Sequence, residues 1–191
     1  AYAIEGIKVE KERLLNLSLA YESHPDNITP AVMGGFNVAS VHENEVKFIT
    51  KSIPRTLRAV VVVPNRPIST TLSRKTLPYK YSKEDTIFNI SHSSLLTAAF
   101  MSENWEMLKY ASADMVHQQF RMRHMPELFE VQKTALKNGA LMSTLSGSGS
   151  TFFSVAYSED SQKLELALKE KFPHFRVMSV DFDNNGVKIE I

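Results

Sequence analysis

The sequence predicts an α+β protein with helices on one side of a mostly antiparallel sheet, and three observations lead there. Apolar residues recur at three- and four-residue spacing over 11–21, 83–100, 105–117 and 126–138, the period of amphipathic helices. Short runs rich in β-branched and aromatic residues occur at 57–63, 152–157 and 175–180, the composition of strands. The order in which these helices and strands follow one another is that of an α+β sandwich.

Taken along the chain, Lys11 to Tyr21 reads as a helix that carries Glu22 to its C-terminal end. Asn27 to Met33 reads as a second, short helix, with Asp26 or Asn27 as N-cap, Pro30 in the first turn and Gly34 past the end. Phe36 to Val41 and Val46 to Thr50 flank the polar His42-Glu43-Asn44-Glu45, which predicts a hairpin. Ile53-Pro54-Arg55 punctuates the chain before Leu57 to Val63, whose Ala-Val-Val-Val-Val centre is that of a strand buried on both faces. A domain boundary is expected near that point.

After the loop at 64–68, Ser69 to Arg74 is expected to start a helix that ends before Leu77-Pro78. Beyond the helices already named, Leu141 to Leu145 leads into the small-residue loop Ser146-Gly147-Ser148-Gly149-Ser150-Thr151 and then a strand from Phe152 to Tyr157. Ser161 to Lys171 is a further helix, and strands at 175–180 and 187–191 are separated by the turn Asp183-Asn184-Asn185-Gly186.

Composition narrows the function classes. The chain has 191 residues, 43% hydrophobic and 23% charged, with a formal net charge of +1, so it offers no electrostatic reason to expect nucleic acid or a membrane surface as partner. It has no apolar run of the roughly 18 residues that span a bilayer. With no cysteine, any bound metal must use oxygen or imidazole ligands, and a cytoplasmic location is expected.

Several groups of residues carry possible chemistry, each with a plainer rival. Glu22, His24 and Asp26 place two carboxylates and an imidazole within five positions at a helix start, a set that can bind a cation or an amino group. Singly, Asp26 reads equally as a cap, His24 as a loop residue and Glu22 as a solvated last-turn residue. The loop Ser146 to Thr151 offers backbone amides and hydroxyls to an anion, yet it leads into a strand, where a plain tight turn is the commoner reading. Thr70 and Arg74 share a helical face and can clamp a carboxylate or phosphate, as against an exposed Arg. Asp114, His117 and Arg121 fall at helical spacings of three and four, which a surface salt-bridge ladder explains as well.

Four segments, in order, carry a resemblance. Glu22-Ser23-His24-Pro25-Asp26-Asn27 through Gly34-Gly35-Phe36 closely resembles the His-Pro-Asp-Asn segment of bacterial homoserine kinases, in the GHMP small-molecule kinase superfamily. Ser69-Thr70-Thr71-Leu72-Ser73-Arg74 with Leu77-Pro78 resembles that family's Ser-Thr-x-x-Ala-Arg-x-x-Leu-Pro segment. Asp114 to Arg121 is similar to its Asp-x-x-His-Gln-x-x-Arg helix, and Leu145 to Phe152 to the third superfamily motif.

The resemblance implies the end of a ribosomal-protein-S5-domain-2-like N-terminal domain over 1–55, followed by a ferredoxin-like C-terminal domain over 56–191. It implies transfer of the ATP γ-phosphoryl group to the hydroxyl of L-homoserine, a step of threonine biosynthesis, with ATP and Mg²⁺ as cofactors. Glu22 and Asp26 are the implied catalytic carboxylates, with Glu22 near the metal. His24, Asp26, Thr70, Arg74, Arg121 and Gly147 are implied at the substrate, and Ser146, Gly147, Ser148 and Gly149 beside the nucleotide. A homodimer is a further expectation. Ser150 stands where the family usually has Pro, and Ser73 where it usually has Ala. The family's phosphate loop, Pro-x-x-x-Gly-Leu-Gly-Ser-Ser-Ala, and its first motif are absent from the sequence, so this chain is expected to be a C-terminal portion, inactive alone. Two alternatives are another GHMP kinase acting on a different small alcohol, and a non-catalytic descendant that uses the amino-acid pocket for sensing or assembly.

Overall fold

The computed structural model describes residue 6 and residues 9–66, 69, 73 and 75–188. The chain divides into two compact units, residues 1–54 with 182–191, and residues 55–181. The chain returns to the first unit at Phe182.

In the first unit, α1 (Lys11–Ser18) and α2 (Pro25–Met33) precede a hairpin of β1 (Phe36–His42) and β2 (Glu45–Lys51). Helix α1 stops three residues before the expected end, where the Ser18 hydroxyl turns back to the Leu14 carbonyl at 2.8 Å. The hairpin is antiparallel and pairs His42 with Glu45, so Glu43 and Asn44 form a two-residue turn. Both have positive φ, 50° and 63°, as a type I′ turn requires and as the sheet's right-handed twist favours. Leu15, Val32 and Val46 are the buried centre of this unit.

The segment 182–188 closes the first unit; of the strand expected at 187–191, residues 187 and 188 are not in a strand and 189–191 lie outside the described residues. Asn184 spans the Ile53 backbone with both ends of its amide, accepting from the Ile53 N–H at 2.8 Å and donating to its carbonyl at 2.9 Å. The Gly35 N–H donates to the Asp183 carbonyl at 2.8 Å, and the Val187 N–H to the Val32 carbonyl at 3.1 Å. Glycine is required here by close approach: a Cβ on Gly186 would lie 2.3 Å from the Val32 carbonyl oxygen, and one on Gly34 2.6 Å from the Gly186 nitrogen.

The second unit is a four-stranded antiparallel sheet of order β4-β5-β3-β6, from β3 (Leu57–Val63), β4 (Met142–Leu145), β5 (Phe152–Tyr157) and β6 (Arg176–Val180). Its helices are α3 (Lys83–Ser102), α4 (Leu108–Ala111) after a 3₁₀ turn at Trp105–Met107, α5 (Gln118–Met122), α6 (Glu127–Lys137) and α7 (Ser158–Lys171). The core forms where Val60, Val62 and Phe152 of the sheet meet Leu128 and Val131 of α6 and Leu164 and Leu168 of α7. Burying each such side chain contributes about 1.5–3 kcal/mol. The β3 expectation is modified at one point: Val61 and Val63 are only half-buried.

The helix expected over 105–117 is broken. Asp114 accepts from the backbone N–H of Val116 at 3.3 Å and of His117 at 2.8 Å, and also from that of Gln118. The preceding helix has already ended at Ala111, and the Asp114 carboxylate satisfies the free N–H groups at the start of the next, α5. At 69–74, Ser73 and Lys75 are helical and the Ser73 N–H donates to the Ser69 carbonyl at 2.8 Å, while Thr70 and Arg74 lie outside the described residues.

Candidate functional site

Glu22 sits in the turn that follows α1, its N–H still held by the Ser18 carbonyl at 3.0 Å. Its Oε1 accepts from the His24 backbone N–H at 3.0 Å and lies against the His24 imidazole Nδ1, and its Oε2 accepts from Asn27 Nδ2 at 3.4 Å. The His24 side chain first, then the His24 backbone, holds the Glu22 carboxyl below the usual glutamate range. Both side chains remain open to solvent, 46% for His24 and 40% for Glu22, so the pair is accessible.

The start of α2 differs from the sequence expectation. His24 is the N-cap and Pro25 takes the first helical position, where its fixed φ suits the helix and its missing N–H costs nothing. Asp26 is therefore not the cap; it is an exposed first-turn acid, near the positive end of the helix dipole. Pro30 lies inside the helix, and its ring nitrogen cannot donate to the Asp26 carbonyl. Glu22, His24 and Asn27 are thus brought together at one helix start, with Asp26 beside them in sequence on its first turn. Among the described residues no group of three His, Asp or Glu side chains is arranged to hold a metal by itself.

In the second unit, α5 faces the loop between β4 and β5. The Ser146 N–H donates to the Thr151 carbonyl at 2.9 Å and the Gly149 N–H to the Ser146 carbonyl at 3.0 Å, which makes the loop a tight turn of defined shape. Positive φ at Gly147 (55°) and Gly149 (82°) gives the glycines their local reason. Arg121 Nη1 donates to the Gly147 carbonyl at 3.0 Å, joining two of the expected site residues. The buried Ser73 hydroxyl donates to the Ser148 carbonyl at 2.8 Å, and Ser150 Oγ to the Arg66 carbonyl at 2.9 Å. Loop residues Ser146, Ser148 and Gly149 are ordered by these contacts.

Of the surface ladder that could equally explain Asp114, His117 and Arg121, the Asp114–His117 pair is present. Asp114 lies before α5, with the His117 Nδ1 3.6 Å from its carboxylate and Asn89 Nδ2 donating to it at 2.9 Å, while Arg121 turns to the loop. Burial opposes ionisation of Asp114, but the His117 side chain, the Gln118 N–H and Asn89 outweigh it and hold the carboxyl well below the usual range. A cavity of about 270 Å³ beside α5 is lined by Lys109, Asp114, Gln118, Met122, Phe129 and Gln132 among others. Sequence reading offered Asn27 only as a helix cap and gave no role to Gln118 or Ser73; the partners of those two are set by the fold, and only their position inside the quoted segments pointed to them.

Residues 93–174 match the family model described as GHMP kinases C terminal. The matched stretch lies within the second unit, the one built on the four-stranded antiparallel sheet. More particularly, the chain is 81% identical over 191 residues to the homoserine kinase of Aliarcobacter butzleri, and 60% identical over 190 residues to that of a Nitratiruptor species. Each match covers 100% of this chain and 65% of the relative, so the chain spans just under two thirds of their length. Among solved structures, homoserine kinase from Cytophaga hutchinsonii is similar at a TM-score of 0.89 and 23% identity, covering 97% of this chain and 62% of that one. The L. major mevalonate kinase is similar at a TM-score of 0.64 and 19% identity, covering 92% and 60%. No helix among the described residues is long and apolar enough to cross a membrane.

Proposed function

We propose that this chain is the C-terminal portion of a homoserine kinase, which transfers the γ-phosphoryl group of ATP to the hydroxyl of L-homoserine to give O-phospho-L-homoserine. The observation that carries the reading is 81% identity to a homoserine kinase across the entire chain. In this reading residues 1–55 and 56–191 are the end of the N-terminal GHMP domain and its C-terminal domain, and the location is cytoplasmic.

Phosphoryl transfer through a loose transition state is catalysed mainly by positioning and charge neutralisation, so the attacking substrate hydroxyl needs no general base in principle. His24 and Asp26 line the acceptor amino acid, where the exposed Asp26 carboxylate complements its ammonium group. Thr70, Arg74 and Arg121 hold the acceptor carboxylate; a guanidinium steadied on one side by the Gly147 carbonyl is well suited to orient it. Ser146 to Gly149 shape the nucleotide side.

Magnesium is commonly held by one or two carboxylates plus substrate phosphates. The donor set fits that mode: Glu22 is ionised, solvent-accessible, and carries its short contacts on Oε1, with only the 3.4 Å contact from Asn27 on Oε2. Glu22 would hold the ion, which when bound supplies charge neutralisation at the phosphates. His24 and Asn27 orient that carboxylate.

The test is calorimetry with homoserine and threonine, with and without Mg·ATP, together with a phosphorylation assay, on this chain and on the full-length gene product. The full-length protein is expected to phosphorylate homoserine, and the 191-residue chain, which lacks the family's phosphate loop, is expected not to. Turnover of another small alcohol in place of homoserine would overturn the substrate assignment. Robust activity of the chain alone would overturn the fragment assignment.

A further inference from the structure

We propose that Gln118 is a positioning residue that fixes the path of the glycine loop, as the middle member of a row of side chains standing in for a strand beyond β4. The proposal rests on the kinase reading above only for its catalytic consequence. Strand β4 is at the edge of the sheet, so one row of its backbone groups has no neighbouring strand. Two outward groups of β4, and one carbonyl of the loop that follows it, are met by side chains of matching polarity. Gln132 Nε2 donates to the Ser143 carbonyl at 2.9 Å, the Leu145 N–H donates to Gln118 Oε1 at 3.1 Å, and Arg121 Nη1 donates to the Gly147 carbonyl at 3.0 Å. At Ser143 and Leu145 these side chains stand where an added strand would pair, and Arg121 carries the support on into the loop.

Gln118 holds the critical place in this row. Leu145 is the last residue of β4, so its N–H lies where the regular ladder ends and the loop begins. Gln118 and Arg121 are one turn apart on α5, and one short helix therefore grips the loop at its root and one residue inside it. Helix α5 is itself anchored, since Asp114 accepts from the N–H groups of His117 and Gln118. Gln118 Nε2 also reaches the Ser112 carbonyl at 3.5 Å, a weaker contact on the other side. Displacements of about 1 Å in a positioned site are enough to cost about a hundredfold in rate, so a loop released at Leu145 has a kinetic signature.

The experiment compares Gln118→Met, which keeps the size but removes the acceptor, with Gln118→Glu at pH 8, which keeps an acceptor for Leu145 and removes the donor toward Ser112. Both are made in the full-length protein and read by amide hydrogen exchange and by steady-state kinetics with homoserine. In Gln118→Met, exchange at Leu145 is expected to be about tenfold faster and kcat about tenfold lower at unchanged KM for ATP, with Gln118→Glu within about twofold of wild type. Unchanged exchange at Leu145 in Gln118→Met would overturn the proposal, as would equal impairment of the two variants or an unaltered kcat despite faster exchange. If the wild type does not phosphorylate homoserine, the kinase reading fails, and the exchange measurement still decides whether Gln118 holds the loop.

Discussion

The carboxylate segment at the start of α2 and the glycine loop beside α5 are organised in opposite ways. Glu22, His24 and Asn27 hold one another across two to five positions of sequence, and their side chains stay open to solvent. The loop is held from outside, by Arg121 and Gln118 at separations of 26 and 27 residues and by Ser73 at 75. A locally held acidic cluster costs little to rearrange around an incoming ligand. A loop pinned by distant elements inherits the rigidity of the fold. Under the proposed kinase reading, the difference suits a division in which one region adapts to a small acceptor and a metal while the other presents a fixed shape.

Substitutions should separate the two kinds of organisation. The largest effect is expected from Glu22→Gln in the full-length protein: kcat for homoserine phosphorylation falls about 10²- to 10³-fold, by analogy with loss of one electrostatic stabiliser, while the melting temperature is unchanged. A melting temperature that drops in step with activity would show that Glu22 is structural. Next is Gly186→Ala, whose Cβ would meet the Val32 carbonyl oxygen at 2.3 Å and sit at a φ of 63°; unfolding in urea should show a loss of about 3 kcal/mol or more.

Asp114→Ala removes the acceptor that caps α5 and should destabilise by about 2 kcal/mol, again read from denaturant unfolding. Because the folded Asp114 carboxyl titrates below its ordinary range, its contribution is fully present above that range and is lost as pH falls through the lower folded value. The wild-type acid-unfolding curve should therefore lose a low-pH component in Asp114→Ala, and identical curves would refute the assignment. Ser73→Ala is the smallest change, about 1 kcal/mol for one hydrogen bond to the Ser148 carbonyl, measured as a shift in urea midpoint.

The hairpin, the core strand and the amphipathic helix α6 were legible because each is written in neighbouring residues: two strand-like runs around a polar turn, an unbroken apolar run from Ala59 to Val63, and Leu128, Val131 and Ala135 three and four apart in α6. The cluster at Glu22 was legible for the same reason, being local. What escaped was non-local or competitive. Nothing in 105–117 announces that the Asp114 side chain will outbid the backbone for the Val116, His117 and Gln118 amides, so the helix was read through. The cap of α2 lies two or three residues earlier than Asp26 or Asn27, because Pro25 can begin a helix with His24 as its N-cap. The stretch 182–188 looked like a turn leading to a strand, since its real partners, Ile53, Val32 and Gly35, lie about 130 to 155 positions away.

That last contact sets an order on assembly. The backbone around Gly34 and Gly35 is completed only by residues 182–188, which the ribosome delivers after the entire second unit. During synthesis at about 5–20 residues per second, the helix carrying Asp26 waits several seconds without its final neighbour. The second unit, a continuous stretch from Arg55 to Asp181, has its whole sheet in hand before then. The acidic segment is thus the first of the two regions to be translated and the last to be locked.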